Sequence, residues 1–222
     1  MSTSVFTGWP ADATTFLAEL AEENTTEFWA ANRHRYASVR APLVALAGAL
    51  EGEFGTFRIL RPFVDRRFRP NGPPLRLDAG AAGLTPEGTE RSVVLSATAL
   101  SVRVGHYMFD AVQLRRFRAA VVEEPGAALQ EALAAVAAAG LVPGDVPRLV
   151  SRPRGFRGEH PRMELLRMLT VHVGRSWPAG PWLGTPEPLA RVAGAWRAAR
   201  PLVEWLDRYV GPPAERGWIR RR

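Results

Sequence analysis

The stretch Ser92-Val-Val-Leu-Ser-Ala-Thr-Ala-Leu-Ser-Val-Arg-Val-Gly105 decides the fold class. Apolar and polar residues alternate on both sides of a short turn, and this pattern predicts an antiparallel hairpin of residues 92–97 and 100–105. Alternation places successive side chains on opposite faces of a sheet, which is typical of strands with one buried face. The sequence therefore predicts an antiparallel sheet in the middle of the chain.

Helical spacing of apolar residues dominates the chain on both sides of this hairpin. It predicts helices over residues 12–20, 24–50, 110–122, 126–139, 161–168 and 186–210. In the first two, Asp12 and Asn24 are the candidate N-caps, and Glu27 completes a capping box with Asn24. Pro42 predicts a kink or a break in the second helix, because proline lacks the amide hydrogen that an interior position needs.

The remaining segments predict short strands and loops. Residues 57–63, 148–151 and 169–173 have strand-like composition, whereas residues 70–90 are rich in glycine and proline and predict a long loop. A loop of this length in a compact domain is usually functional or mobile. Helices and strands occur in blocks rather than in strict alternation. We therefore predict one α+β domain over residues 1–211, with an antiparallel sheet of about four to six strands packed against several helices.

Composition limits the class of protein. The chain has 222 residues, of which 46% are hydrophobic and 23% charged, close to the values of ordinary globular domains. The absence of cysteine excludes disulfides, thiol catalysis and thiolate metal sites. No apolar run reaches the roughly 18 residues of a membrane helix, and residues 1–9 lack the pattern of a secretory signal. We expect a soluble cytoplasmic protein without a membrane partner.

The formal net charge is +7, and all 29 basic residues are arginine. Because alanine is also abundant, the absence of lysine indicates the codon bias of a GC-rich genome more than selection for phosphate contacts. The positive charge is concentrated in two segments, which we call the arginine islands. Residues 58–76 have six arginines against one aspartate, and residues 148–175 have seven against two glutamates. Four more arginines lie in the tail, residues 212–222, which we expect to be disordered.

Four motifs occur in order along the chain. They are Asn24-Thr-Thr-Glu-Phe-Trp-Ala-Ala-Asn32-Arg-His-Arg-Tyr36, then Asp65-Arg-Arg-Phe68 with Pro74 and Arg76, then Gly105-His-Tyr107, and Arg152-Pro-Arg-Gly-Phe-Arg-Gly-Glu-His-Pro161. Together they resemble the family known as domain of unknown function 2461, over residues 6–211. The segment Trp182-Leu-Gly-Thr-Pro186 is similar to the actinobacterial branch of that family. The resemblance implies no established activity.

The second motif departs from the family's pattern, which is Arg-Asp-x-Arg-Phe followed by Asp-Lys and then Pro-Tyr-Lys. This chain has Val64 for the first arginine, Asn71-Gly72 for the Asp-Lys pair, Leu75 for the tyrosine and Arg76 for the last lysine. If the missing aspartate or lysine is a proton donor, metal ligand or nucleophile in relatives, this chain lacks that chemistry. The sequence leaves open a diverged or inactive member.

The first arginine island is a candidate anion site. Planar guanidinium groups recognise carboxylate and phosphate through paired hydrogen bonds, so Arg67 and Arg76 are candidate ligands of an anion. Asp65 is placed to orient one of them. The alternative is an aspartate–arginine pair that only ties a strand to the following loop, and the sequence favours this structural role.

The second arginine island adds an imidazole and a carboxylate. Arg154 is a further candidate ligand of an anion, and Gly155 permits a close approach of the backbone. His160 and the adjacent Glu159 provide groups for general acid–base catalysis, just before a helix predicted to begin at Pro161. The alternative is a turn and helix cap with a buried, hydrogen-bonded His160, which the sequence favours over catalysis.

Three functions are compatible with these motifs, and the sequence leaves open whether the protein is an enzyme. We favour a binding or accessory protein that holds a small anion, or an acidic segment of a protein partner, between the two islands. The alternatives are an enzyme for a phosphorylated or carboxylated substrate with His160 as acid/base, and a nucleic-acid-associated protein with a basic groove.

No cofactor or metal is expected. The chain has no phosphate-binding loop, no dinucleotide-binding glycine motif and no nucleophile elbow. The histidines also lack the spacing of a helix-borne zinc site. These four residues are His34, His106, His160 and His172.

Overall fold

The predicted hairpin forms the centre of the sheet. In a computed structural model, which describes residues 5–65, 72–156 and 158–214, its strands are β3 (Glu90–Ser96) and β4 (Ala99–Gly105). The other strands in this part of the chain are β1 (Arg58–Ile59), β2 (Asp78–Leu84), β5 (Val142–Pro143) and β6 (His172–Pro178). They form a six-stranded sheet in the order β1-β2-β3-β4-β6-β5.

Eight α-helices lie within the same described residues. They are α1 (Ala11–Glu22), α2 (Thr26–Asn32), α3 (Tyr36–Phe54), α4 (Ala111–Val122), α5 (Pro125–Ala138), α6 (Met163–Arg167), α7 (Glu187–Ala198) and α8 (Arg200–Tyr209). A short 3-10 helix, Pro181–Gly184, precedes α7. The predicted class is confirmed: the protein is a single α+β domain with one antiparallel sheet.

The domain consists of two compact units, each made of segments that are separate in sequence. Unit 1 contains Met1–Gly83, Ser92–Val102 and Ser176–Gly194. Unit 2 contains Leu84–Arg91, Arg103–Arg175 and Ala195–Arg222.

The core of unit 1 is built on the packing of α1 against α3. The apolar residues that predicted α1, Phe16, Leu17 and Leu20, are fully buried or nearly so. Leu43 and Leu46 of α3 are also buried, at the i, i+3 spacing of one helix face. The apolar stripes read from the sequence are therefore the core of this unit.

The break in the second predicted helix lies earlier than the sequence predicted. Residues 33–35 separate α2 from α3, and Pro42 lies inside α3. The amide of Arg35 bonds to the carbonyl of Asn32, three residues back, which is the tighter turn typical of a helix end. The Arg35 guanidinium donates to Asp12 at 2.7 Å and also pairs with Glu19, so α1 holds this turn in place.

Asn24 does not cap a helix, and that prediction was wrong. Thr25 is the N-cap of α2 and accepts a hydrogen bond from the amide of Phe28 at 3.0 Å. Asn24 instead donates to the carbonyl of Leu75 at 2.9 Å and accepts from its amide at 3.0 Å. Its side-chain amide thus takes the place of a neighbouring strand for the backbone of Leu75.

Strand β2 lies where the sequence predicted a long loop, and that prediction was also wrong. Its glycines permit close backbone contact rather than a turn. A Cβ atom on Gly80 would lie 2.9 Å from the carbonyl oxygen of Val93, and one on Gly83 would lie 2.6 Å from that of Thr56. The composition of β2 therefore reflects how tightly its neighbours pack.

Three other predicted elements differ in extent. The strand predicted at residues 57–63 shortens to β1 and an isolated bridge between Phe63 and Leu75. Residues 148–151 contribute only a bridge between Arg148 and Met168, and the strand predicted at 169–173 begins later, as β6.

The last predicted helix divides into α7 and α8. Pro201 lies in the first turn of α8, where its missing amide hydrogen is tolerated, so a new helix begins there.

The core of unit 2 is built on α4, α5 and α8. Phe117, Leu129 and Leu206 are fully buried at the contacts of these helices. Trp205 is also buried and donates its indole N–H to the carbonyl of Pro125 at 2.8 Å. The two helices predicted after the hairpin are thus confirmed and form the support on which the candidate site is built.

The close packing of β2 leads to a prediction for Gly83, with Gly194 of α7 as the control. Gly83→Ala is expected to destabilise the protein by about 1–3 kcal/mol, since backbone atoms must move to admit the methyl group. Gly194→Ala in α7 is the matched control, because nothing lies within 4 Å of the Cβ it would add. It should raise stability by about 0.5–1 kcal/mol through helix propensity. Urea unfolding of both variants checks the sign, and a stabilised Gly83→Ala protein would contradict the packing argument.

Candidate functional site

A cavity of about 720 Å³ lies in unit 2 at the N-terminal end of α4. Its walls come from the turn after β2, from residues 106–113 and from residues 213–214. Most of the lining is apolar, including Leu84, Met108, Phe109, Val112 and Pro213. The lining side chains that carry polar groups are Glu90, His106, Tyr107, Asp110 and Gln113.

The end of β4 places His106 in this cavity. Gly105 has a φ of 132°, and a Cβ atom there would lie 2.3 Å from the carbonyl oxygen of Val171, so glycine is required at this position. The chain then turns, and the amide of His106 donates to the carbonyl of Val171 at 2.8 Å. The hydroxyl of Thr170 donates to the carbonyl of His106 at 2.6 Å. Both backbone groups of His106 are therefore fixed.

The side chain of His106 is buried without full hydrogen bonding. Only 5 % of the residue is exposed, and its ring packs against Phe109 with a centroid separation of 5.2 Å. The Nε2 atom has no hydrogen-bond partner among the described residues. Burial lowers the pKa of His106 to about 4, although the nearby charge of Asp110 acts in the opposite direction. The imidazole is therefore neutral near pH 7.

A capping box at the start of α4 fixes the polar floor of the cavity. Asp110 Oδ1 accepts from the amides of Val112 and Gln113, each at 2.7 Å. In return, Gln113 Oε1 accepts from the amide of Asp110 at 3.1 Å. These reciprocal bonds satisfy the first amides of the helix and hold both side chains in one orientation.

The same end of α4 binds the segment that follows α8. The side-chain amide of Gln113 donates to the carbonyl of Gly211 at 2.9 Å. Arg116 donates to the carbonyls of Val210 and Pro212, each at 3.1 Å. Asp110 Oδ2 accepts from the amide of Ala214 at 2.8 Å. Pro213 and Ala214 belong to the tail that the sequence predicts to be disordered, yet they form one wall of the cavity. Residues 215–222 lie outside the described part.

The turn between β2 and β3 forms another wall of the cavity. The hydroxyls of Thr85 and Thr89 both donate to Asp207 of α8, at 2.8 and 2.5 Å. Within this turn, Gly88 has a φ of 103° and lies close to both Pro213 and His106. A side chain at position 88 would enter the space between these two residues.

The carboxylates of the cavity make it unfavourable for a negatively charged ligand. Burial alone would raise the pKa of Asp110, but the amides of Gln113, Ala214 and Val112 together hold it below its ordinary value. Asp110 is thus a charged cap, already engaged with backbone donors. Since Glu90 and Asp110 are the charged residues among the described lining, the electrostatic environment disfavours a negatively charged ligand.

The mouth of the cavity carries two exposed apolar side chains. Tyr107 is 64 % exposed and Met108 is 73 % exposed, directly after the buried His106. The guanidinium of Arg103 lies 5.8 Å from the centre of the Tyr107 ring, within the range of a cation–π contact. Large exposed apolar side chains beside a cavity are typical of a surface that contacts a ligand.

The predicted anion ligands of the first island belong to unit 1. Arg76 is half-buried and donates to Asp78, with N···O distances of 2.6 and 2.8 Å. Asp65 is exposed, and Arg67 lies outside the described residues. The pairing of Arg76 with Asp78 is a structural ion pair of the kind weighed from the sequence.

The predicted residues of the second island belong to unit 2. Arg154 and Glu159 are exposed, and Arg154 makes no hydrogen bond or ion pair with the described residues. Half-buried His160 accepts a hydrogen bond at Nδ1 from the amide of Arg162 at 3.1 Å. Helix α6 begins at Met163, two residues later than predicted, and has only five residues. His160 is therefore hydrogen-bonded in the turn before α6 but does not cap it, because the N-cap is Arg162 and no side chain bonds there. The catalytic role of His160 remains a prediction.

Sequence reasoning did not select the residues that line the cavity. Gly105-His106-Tyr107 was recognised as a family motif, but His106 was considered only as a metal ligand. The order of residues at the end of β4 is a signal that could have been found in the sequence. It is a glycine and a histidine followed by an aromatic and a thioether side chain. Gln113 gave no such signal, because its partner Gly211 lies 98 residues away in sequence.

Two kinds of site are absent from the described residues. No three histidine, aspartate or glutamate side chains there form a group that could hold a metal ion. None of the helices in that part of the chain has both the length and the apolar surface to cross a bilayer.

Fold and site together define an α+β protein with an apolar cavity around a buried histidine. The profile of the family described as conserved hypothetical protein (DUF2461) matches residues 12–205, so the chain belongs to that family. The family resemblance is thereby confirmed, and the actinobacterial branch remains a prediction. No curated protein and no solved structure matches the chain.

The buried imidazole makes a prediction about stability and pH. The pKa of His106 is about 4 in the folded protein and about 6.5 when unfolded, so only the unfolded state binds this proton between those values. Stability is therefore complete above pH 6.5 and falls as the pH drops towards 4. The expected loss is up to about 3 kcal/mol. Chemical unfolding across this range should show a shallower pH dependence for His106→Gln than for the wild type.

The control for this experiment is His34→Gln at an exposed histidine of unit 1. Because this variant keeps His106, the pH dependence that His106 contributes should remain in it. The pKa of His172 is also lowered, chiefly by burial, and its contribution remains in all three proteins. Equal pH slopes for wild type and His106→Gln would show that His106 is not held neutral.

Proposed function

We propose that this protein binds a small, neutral, largely apolar molecule in the cavity at the start of α4. The observation that carries the proposal is a buried histidine, His106, which lines a cavity of about 720 Å³ and whose Nε2 has no hydrogen-bond partner among the described residues. Buried polar atoms are rarely left unpaired, and an exception within a cavity points to a missing partner. The protein is then a binding or accessory protein, as favoured from the sequence, with a different class of ligand.

The size and lining of the cavity support this class of ligand. Its volume falls within the range of about 300–1,000 Å³ typical of small-molecule sites. Apolar side chains with a few fixed polar groups are the usual composition of such sites, the polar groups giving orientation. Here the capping box fixes Gln113, and the backbone contacts of Gly105 and His106 fix the imidazole.

Anion binding by Arg67, Arg76 and Arg154 remains a second proposal, and one observation in unit 1 favours it. The hydroxyl of Tyr36 is buried without a hydrogen-bond partner among the described residues. Burial raises the pKa of Tyr36, while the charges of Arg40 and Arg76 act to lower it, so both arginines lie near this hydroxyl. A phosphate or carboxylate there would meet two cations and one hydroxyl donor, together with the Asp78 carboxylate that is already paired with Arg76.

A ligand screen with a cavity-filling variant tests the first proposal. Ala111→Trp places a large side chain in the lining of the cavity, at an exposed position of α4. Neutral apolar compounds are expected to raise the melting temperature of the wild type but not of Ala111→Trp. A compound at a hundred times its dissociation constant stabilises by about 2.7 kcal/mol, which a thermal-shift assay detects readily.

Ala134→Trp is the matched control, since Ala134 is an exposed residue of α5 that does not line the cavity. It should respond to ligand as the wild type does. The same screen includes inorganic phosphate, nucleotides and carboxylates, with Arg76→Ala and Arg154→Ala alongside. Shifts from anions alone, lost in these arginine variants, would overturn the cavity proposal in favour of anion binding.

The two remaining alternatives from the sequence stay predictions. An enzyme with His160 as acid/base predicts turnover of a phosphorylated or carboxylated substrate, abolished in His160→Gln. A nucleic-acid partner predicts binding that weakens steeply as salt concentration rises.

A further inference from the structure

We propose that His106 recognises the ligand as a hydrogen-bond donor, through an N–H group at Nε2, and that the ligand carries a neutral acceptor oxygen such as a ketone, ester or amide carbonyl. The inference rests on the proposed function, because it concerns the same cavity. It follows from the fixed orientation of one neighbouring amide, that of Gln113.

The Gln113 amide can take only one orientation. Its oxygen accepts from the backbone amide of Asp110 at 3.1 Å, and its nitrogen donates to the backbone carbonyl of Gly211 at 2.9 Å. Rotating the group by half a turn would bring donor against donor and acceptor against acceptor. Two backbone groups of opposite polarity therefore fix which side of the amide carries the NH2.

This NH2 group determines the tautomer of His106. The nitrogen of Gln113 lies 3.4 Å from His106 Nδ1, and an amide nitrogen offers hydrogens but accepts none. A proton on Nδ1 would face another donor, so Nδ1 is the acceptor in this pair. In a neutral imidazole the single proton then resides on Nε2, the buried atom without a partner among the described residues.

The imidazole remains neutral because of its surroundings. His106 is almost completely buried, and burial lowers its pKa to about 4. Asp110 is the nearby carboxylate that favours the charged form, but its oxygens accept from three backbone amides. Its charge is therefore directed at the helix terminus and the segment after α8.

The charged groups of the cavity disfavour an anionic ligand, and the Nε2 hydrogen of His106 disfavours a cationic group at that atom. A carboxylate or phosphate would meet Glu90 and Asp110, which are the charged residues in the described lining. A cationic group at that atom would meet the Nε2 hydrogen of His106, which carries a partial positive charge. A neutral oxygen acceptor attached to an apolar body matches both the donor and the surrounding apolar side chains.

Nitrogen NMR of the wild-type protein tests the tautomer without any ligand. The histidines are labelled with 15N, and the His106 signals are assigned by their absence in His106→Gln. At neutral pH we expect a pyrrole-type signal for Nε2, with a slowly exchanging proton, and a pyridine-type signal for Nδ1. A protonated Nδ1 would overturn the inference while leaving cavity binding intact.

A variant of the directing residue sharpens this measurement. In Gln113→Glu the carboxylate still accepts from the amide of Asp110 and accepts from the imidazole instead of donating to it, while the hydrogen bond to the carbonyl of Gly211 is lost. We expect the proton to appear on Nδ1 in this variant. An unchanged tautomer would show that Gln113 does not direct the ring. If the variant fails to fold, the wild-type spectrum still decides the tautomer.

A pair of isosteric probes tests recognition of the acceptor. Benzophenone and 1,1-diphenylethene have nearly the same shape, but CH2 replaces the carbonyl oxygen in the second. We expect benzophenone to bind about three- to tenfold more tightly, which corresponds to one neutral hydrogen bond, and to shift the Nε2 proton signal. Benzoate, which adds a negative charge, should bind more weakly than benzophenone.

The outcomes separate the two proposals. Equal binding of the isosteres, with no change at Nε2, would overturn acceptor recognition and leave cavity binding intact. If neither probe nor any neutral compound of the screen binds, or if Ala111→Trp binds them as the wild type does, the proposed function itself fails. In that case the spectrum still reports whether the tautomer was correctly inferred.

Discussion

The reciprocal hydrogen bonds between Asp110 and Gln113 are the constraint on which the site of unit 2 depends. They begin α4, and the same two side chains bind the carbonyl of Gly211 and the amide of Ala214. A single capping box therefore satisfies a helix terminus, fixes the chain after the last helix and orients the neighbour of His106. Its loss would affect all three, because neither side chain has a spare bond with which to compensate.

Packing next to this capping box determines which polar atoms of His106 have hydrogen-bond partners. Gly105 allows the chain to turn against Val171, so His106 enters the interior with both backbone groups bonded. Of the two ring nitrogens of His106, Nδ1 faces Gln113 and Nε2 has no hydrogen-bond partner among the described residues. One unpaired donor in an otherwise bonded cluster is hard to explain by folding alone, since a similar apolar side chain would avoid the desolvation. A ligand acceptor provides a physical reason for it.

The sequence predicted those elements whose formation depends on local pattern. The central hairpin and the helices α4 and α5 formed as expected, because alternation, caps and proline positions act within a few residues. Strand β2 was missed because its glycines meet Thr56 and Val93 through tertiary packing, which the sequence does not display. The site was missed for the same reason. Whether a lone histidine such as His106 is buried, and what faces it, depends on contacts distant in sequence.

The arginine islands show a different limit of sequence reasoning. The sequence shows their positive charge, but it does not show which groups that charge pairs with. Arg162 donates to the carbonyls of Val121, Val122 and Glu123 at the C-terminal end of α4. Arg175 likewise donates to Ala139 after α5, and Arg116 to Val210 after α8. Helix C-termini carry unpaired carbonyls and partial negative charge, and cations stabilise them. In a chain without lysine this role falls to arginine, so part of its positive charge is held by its own helices and is unavailable for a ligand.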